Sequence, residues 1–492
     1  MDWKYLQGHR KCSYYGERFP FARFFMAIYL VGGTMKNRID DFFGISKANS
    51  NFGRELTGGL TAFLSMSYVI FVNPNILADA GMPRDAVFMA TIISTALALF
   101  VMGLYAKFPL GLAPCMSMNA FFAYSVVLQM GKSWEEALAC VFASSILFLI
   151  LAFSGARQKI IQAIPSSVKQ AGTVGLGIFI AFVSFKNSGI IVPDESMYIT
   201  FGGFDNPNVL IAFIGIIVTS FFLVRKNQYA VFFGMVGAAV SGVLIRLGAD
   251  MGIFHFSESV MMSLPQLPKG SPIIFPKAPF RAMMDETFMV SVKNLGSLLS
   301  MDSIIIVLVF LFLDFFGTAT TLSAAATQIP HVTEEEFESN TKIYSTDAIG
   351  TLIGGIFGTS NLSTYIESVS GIISGARTGL MSVVTGVLFL LSAFLYPLLS
   401  LVTGAVTTPA MVAIGIFMMQ NITNIKWNEG FEEVIPAFIT IVMMPLTGSI
   451  ALGLVLGFLA YELCMIFAKR TKEISNTMHF ITFISILYLL TL

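Results

Sequence analysis

A chain of 492 residues that is 55% hydrophobic and only 12% charged departs far from soluble proteins, which carry about 25% charged residues. A mean hydropathy of +0.77 cannot be enclosed by a polar surface, so the surrounding solvent is lipid and the chain reads as an all-α polytopic membrane protein. With 29 basic and 29 acidic side chains there is no basic field for nucleic acid, and four scattered cysteines and four isolated histidines give neither a disulfide framework nor a metal cluster, so no metal or cofactor is implied.

In chain order, residues 1–34 hold an apolar stretch too short to span and no small-residue cleavage pattern, which argues against a signal peptide. Met35 offers a natural start. Residues 1–34 are then expected to be a non-essential extension at the head of a cytoplasmic N-terminal region, 1–53. Spanning a bilayer takes about 20 mostly apolar residues. That ruler places spans near 56–77, 86–106, 134–153, 172–192, 208–224 and 229–247. A polar stretch rich in Pro and Lys follows, near 250–297. Spans resume near 302–326, 346–358, 379–395, 397–419, 433–447 and 449–468. Two more apolar stretches are short and broken: PLGLAPCMSMNAFFAYSVVLQM (109–130) and TSNLSTYIESVSGIISGA (359–376).

Counting both gives seven segments on each side of the polar stretch. The divisions are 54–248, an extracytoplasmic loop at 249–297, 298–468, and a cytoplasmic or interfacial tail at 469–492. Each broken segment is third in its group. Asn119 and Glu367 lie at nearly equal distances from Leu56 and Asp302, which open the first span of each group. An odd number of crossings returns the chain inverted, so the pattern is that of two inverted seven-segment repeats. Broken segments at matching places in the two halves point to a transport site. Short loops on one side collect Arg54, Lys169, Arg225, Lys226, Arg377, Lys469 and Arg470 together with Arg157 and Lys159, against Arg84, Lys132 and Lys186 on the other. This bias puts both termini in the cytoplasm of a multi-pass cell-membrane protein.

Ionisable groups inside hydrocarbon are costly, so each is a candidate site. Asp314 sits in the middle of the eighth span, near Gly317, Thr318 and Thr320. Glu367 sits in the second broken segment beside Ser363, Thr364 and Ser368. An ionised carboxylate only accepts hydrogen bonds, while its protonated form also donates. Two such groups suit a neutral ligand rich in N–H and C=O, together with a proton, and both residues are candidates for carrying that proton. A dicarboxylate or sulfate would be repelled. Asn119, in the first broken segment, both donates and accepts, and its alternative reading is a structural bond to the broken backbone of the opposite segment. Phe121, Phe122 and Tyr124 could stack on a planar ring. Thr318 and Ser368 complete the candidate substrate site. Asp347, Glu432 and Glu433 fall near span ends and are expected to be solvated, like the acidic run 334–338.

These stretches carry a resemblance: ELTGGLTAFLSMSYVIFVNPNIL (55–77), FPLGLAPCMSMNAFFAY (108–124), AIPSSVKQAGTVGLGIFIAF (163–182), FLDFFGTATTL (312–322), GTSNLSTYIESVSGIISGARTGL (358–380) and EVIPAFITIVMMPLTGSIALGLVLGF (433–458). Over about 51–492 the chain resembles the nucleobase–cation symporter class two superfamily, and within it the AzgA-like branch of hypoxanthine/guanine/adenine permeases. The resemblance implies fourteen segments in two inverted repeats, with short β-strands and half-helices in segments 3 and 10. It implies a core domain that carries the substrate and a gate domain that supplies scaffold and homodimer contacts. It also implies that Asp314 and Glu367 bind the purine and that Asn119 matters for transport. The branch has a second aspartate where Gly317 stands, and Gly where Cys115 and Ser117 stand. These departures bear on which purine is taken, on affinity and on coupling.

The reading is therefore a secondary active importer of purine nucleobases by proton symport, embedded in membrane lipid. Its rivals are a xanthine or uracil permease and an anion transporter of the same architecture, which two buried carboxylates disfavour. A membrane enzyme is disfavoured by the sparse His and Cys, and a channel by the paired broken segments.

Overall fold

The computed structural model describes residues 38–154, 165–196, 198–268, 271, 273–326 and 340–489. The segment 1–34, the pair Arg157 and Lys159, and the acidic run 334–338 lie outside the described residues. The chain is a mostly helical membrane protein: among the described residues, eight helices are long and apolar enough to cross a bilayer.

Asn51 caps α1 (Phe52–Met66), its side chain accepting from the Arg54 amide at 3.0 Å. The helix breaks at Ser67–Tyr68 before α2 (Val69–Asp79). Then come α3 (Arg84–Val101), which runs on into a π-turn at Met102–Ala106, and the short strand β1 (Gly111–Pro114). The first broken segment continues as α4 (Met116–Ala120) and a π-helical stretch, Phe121–Gln129. The first half ends with α5 (Trp134–Ser154), α6 (Ser166–Asn187), the hairpin β2 (Ile191–Asp194) and β3 (Tyr198–Phe201), α7 (Pro207–Val224) and α8 (Ala230–Asp250).

The second half opens with α9 (Met301–Ala326) and α10 (Thr341–Phe357). Strand β4 (Leu362–Tyr365) leads through a 3-10 turn, Ile366–Ser368, into α11 (Val369–Ile373). It ends with α12 (Leu380–Ser392), α13 (Gly404–Met419), α14 (Phe431–Thr447), α15 (Ile450–Phe467) and α16 (Asn476–Leu489).

The helices sort into two bundles. Helices α1, α2, α3, α5, α9, α10 and α12 pack on one another and around β1 and β4, while α6, α7, α8, α13, α14 and α15 pack together beside them. The same division falls in both halves of the chain. Strands β1 and β4, one from each broken segment, pair antiparallel with Gly111 opposite Tyr365 and Pro114 opposite Leu362. Both are fully buried. Within hydrocarbon every backbone N–H and C=O needs a protein partner, so two broken segments remain stable because each satisfies the other.

Several boundaries differ from expectation. Span 5 begins at Ser166 rather than at 172, because its first turns are polar yet packed inside the protein. The β2–β3 hairpin follows it; alternation over so few residues was too short a signal to read. The 250–297 stretch contains helical turns at Glu258–Ser263, Lys277–Ala282 and Val290–Lys293 rather than plain loop. The division before α13 falls at Val402–Thr403, after a 3-10 run, Ala393–Leu401, that keeps Pro397 inside it.

Candidate functional site

A cavity of about 180 Å³ lies between the two bundles. Its wall on the strand-bearing bundle is Tyr68, Cys115, Met116, Ser117, Leu313, Ser363, Thr364, Tyr365 and Glu367. The facing wall is set mainly by α6 (Lys169, Thr173), α13 (Phe417) with Asn421 just beyond it, and α15 (Leu454, Phe458). Both helix breaks deliver side chains here. Tyr68 stands at the α1–α2 break and Glu367 in the turn after β4, and the Tyr68 hydroxyl donates to Glu367 Oε1 at 2.7 Å. The Tyr365 hydroxyl donates to the Pro114 carbonyl at 2.5 Å, tying β4 across to the end of β1. Tyr68, Glu367 and Tyr365 therefore each have a defined partner at a place where a helix has been interrupted, as low-dielectric surroundings require.

Of the six candidate binding residues read from the sequence (Asp314, Glu367, Asn119, Phe121, Thr318 and Ser368), Glu367 alone lines the cavity. Asp314, on α9, is almost fully buried and does not line the cavity, although its chain neighbour Leu313 does. The Thr351 hydroxyl lies 3.1 Å from its Oδ2 and the Asn361 amide donates to the same atom at 3.4 Å. Asn119 is fully buried; it donates to the Asn73 side chain and accepts from the Ser360 hydroxyl, which ties the first broken segment to α2 and to the chain before β4. The contact to the opposite broken segment is thus made through the Ser360 side chain, where the alternative reading expected the backbone. Thr318 is also fully buried and donates to Asp347. Ser368 spends its hydroxyl on the Tyr365 carbonyl at 2.5 Å. Phe121 packs edge-to-face on Phe310, ring centroids 4.9 Å apart, away from the cavity.

Asp347 corrects the expectation of a solvated span end, for it is fully buried. Helix α10 starts at Thr341, so Asp347 sits nearly two turns inside it, close to Asp314. The polar run KIYSTD hid those first turns from the hydropathy ruler. Tyr68, Thr173, Asn421 and Phe417 also escaped the sequence reading. Tyr68 had a faint signal, as the aromatic in the small polar run SMSY that interrupts the first apolar segment. The others lie on ordinary-looking helices.

Comparison with known proteins follows the same lines. A family model, Xan_ur_permease, described as Permease family, matches residues 53–456. The guanine/hypoxanthine permease PbuG of Bacillus subtilis is 39% identical over 92% of this chain and 99% of its own length. The adenine permease AdeQ of Escherichia coli is 32% identical over 86% of this chain and 89% of its own length. Among solved structures, the transmembrane domain of a cyanobacterial bicarbonate transporter, BicA, superposes with a TM-score of 0.56 at 15% identity, covering 82% of this chain and 96% of that one. SLC26A9 superposes with a TM-score of 0.56 at 11% identity, covering 92% of this chain and 71% of that one. At such identities these two speak for the fold alone.

Proposed function

Because the chain belongs to the permease family, we propose that it is a secondary active transporter that imports purine nucleobases by proton symport. The observation that carries this reading is Glu367. It is a carboxylate at the wall of a cavity bounded by both bundles, where two helices are interrupted and their strands cross. A nucleobase has adjacent N–H donors for such an acceptor, and the cavity's aromatic and aliphatic remainder suits a flat, uncharged ring. The named substrates of the similar permeases, guanine, hypoxanthine and adenine, agree with that chemistry.

On this reading Glu367 meets the base directly. Asp314, buried close to Asp347, is with Glu367 a candidate for the coupling proton. Asn119, Thr318 and Ser368 hold the crossed strands and the half-helix in place, and Phe121 packs behind them. The division of both halves into the same two bundles supports a fourteen-segment inverted repeat with core and gate domains. In that repeat 54–248 and 298–468 are the two halves and 249–297 is an extracytoplasmic connection. The basic side chains of the short loops support cytoplasmic termini in the plasma membrane. A homodimer through the gate bundle belongs to the same reading.

Uptake of radiolabelled hypoxanthine, guanine, adenine, xanthine and uracil, with and without a protonophore, tests it. We expect purine uptake that collapses with the proton gradient. Glu367→Ala and Asp314→Ala should each lower it roughly ten- to a hundredfold, the scale of a lost charged hydrogen-bond partner, while the protein stays in the membrane. Uptake of uracil alone, or indifference to the protonophore, would remove the purine or the proton respectively.

A further inference from the structure

Two side chains on the cavity wall have no part in the transport scheme so far. Cys115 and Ser117 both line the cavity, both are half-buried, and Cys115 Sγ lies 3.0 Å from Ser117 Oγ. The Cys115 amide donates to the Asn361 carbonyl at 2.8 Å, which fixes this point of the chain against the approach to β4. A thiol and a hydroxyl carry one hydrogen each, and the contact between them uses one. Whichever group donates, the other's hydrogen is left for the cavity. The same wall carries Glu367, whose Oε1 is engaged by Tyr68. The wall thus offers an acceptor from Glu367 and a single donor from the thiol–hydroxyl pair.

We propose that Cys115 and Ser117 are specificity-determining residues that contact the cargo and favour a 6-oxopurine over a 6-aminopurine. This rests on the purine-transport reading above. A 6-oxopurine gives Glu367 a ring N–H and gives the pair a carbonyl oxygen. A 6-aminopurine in the same pose turns an unprotonated ring nitrogen toward Glu367; a lone pair of the pair can accept an amino hydrogen, but the pair's own hydrogen then finds no acceptor on the base. One buried unsatisfied donor costs roughly 1–3 kcal/mol, which is on the order of a tenfold discrimination.

Two measurements test it. On the unaltered protein in membranes, N-ethylmaleimide labelling is followed at Cys115 and Cys464 by mass spectrometry of the peptides. Saturating hypoxanthine should slow labelling at Cys115 at least fivefold and leave Cys464 unchanged. Competition against hypoxanthine uptake then gives the ratio of adenine to hypoxanthine inhibition constants for the unaltered chain and for C115A/S117A, with membrane abundance measured for both. We expect the unaltered chain to prefer hypoxanthine and the double variant to lose roughly tenfold of that preference. Absence of any nucleobase uptake by the unaltered chain would overturn the transport reading and this assignment together. Uptake with an unprotected Cys115, or with a ratio unmoved by the double substitution, would overturn this assignment alone.

Discussion

Tyr68 and Glu367 form one unit, held by a 2.7 Å bond between side chains 299 positions apart. The tyrosine hydroxyl fixes which carboxylate oxygen remains for a ligand, and a bond to a charged group is worth about 1.5–3 kcal/mol. Tyr68→Phe removes only that hydroxyl and keeps the ring that packs near Tyr365. We expect its KM for hypoxanthine to rise roughly tenfold with abundance unchanged; an unaltered KM would show that the bond does not orient Glu367. At this scale the sequence was informative about type and not about direction. A carboxylate in an apolar run must be held by protein, and this made Asp314 and Glu367 visible. Which of them faces the cavity depends on the crossing of β1 and β4, whose register has no local signal. Asp347 was misplaced because hydropathy measures average polarity, and a polar helix end buried by neighbours looks the same as one in water.

At the scale of elements, the half-helix α11 has to lie close to α1 for Glu367 to meet Tyr68. Glycines on both sides allow it. A Cβ on Gly371 would come within 2.6 Å of the Gly58 carbonyl oxygen, and one on Gly58 within 2.5 Å of the Ala376 Cβ. Glu55 secures the far end of the same segment, accepting from the Arg377 amide at 2.8 Å and the Thr378 amide at 3.3 Å. Gly371→Val should therefore displace α11, lower the thermal stability of the purified protein by about 1–3 kcal/mol as overpacking does, and abolish uptake. Gly296→Ala, where a Cβ has no neighbour within 4 Å, should leave both unchanged. Wild-type uptake in Gly371→Val would mean that the half-helix tolerates a shift and does not set the site. The broken segments themselves were legible, since Pro, Gly and Ser interrupt an apolar run at matching places. The β2–β3 hairpin and the start of α6 were not, because short strands and polar turns carry too few residues for a periodic pattern.

Across the whole molecule, the cavity lies near one end of α6 and a polar contact between the bundles lies at the other. Residues near its start, from Val168 to Leu176, line the cavity. At its other end Asn187 donates to Asp79 Oδ2 at 3.1 Å and to the Tyr124 hydroxyl at 3.1 Å, while Tyr124 donates to Asp79 at 2.7 Å. Asp79 and Tyr124 belong to the bundle that holds the strands, so this triangle pins the two bundles together away from the cavity's Lys169 end. In the orientation proposed above, that end faces the cytoplasm. Each exposed bond contributes only on the order of 1 kcal/mol, weak enough to break and reform in a transport cycle. In an alternating-access carrier the bundles must part here to admit substrate from outside. A D79C/N187C chain in a background lacking the native cysteines should transport until mercuric ion bridges the pair, then stop, and recover on addition of excess thiol. Either single-cysteine chain should be indifferent to the same treatment. Transport that continues through a bridged pair would mean that the two bundles stay joined at this end while substrate passes, and the entry route would then have to lie elsewhere.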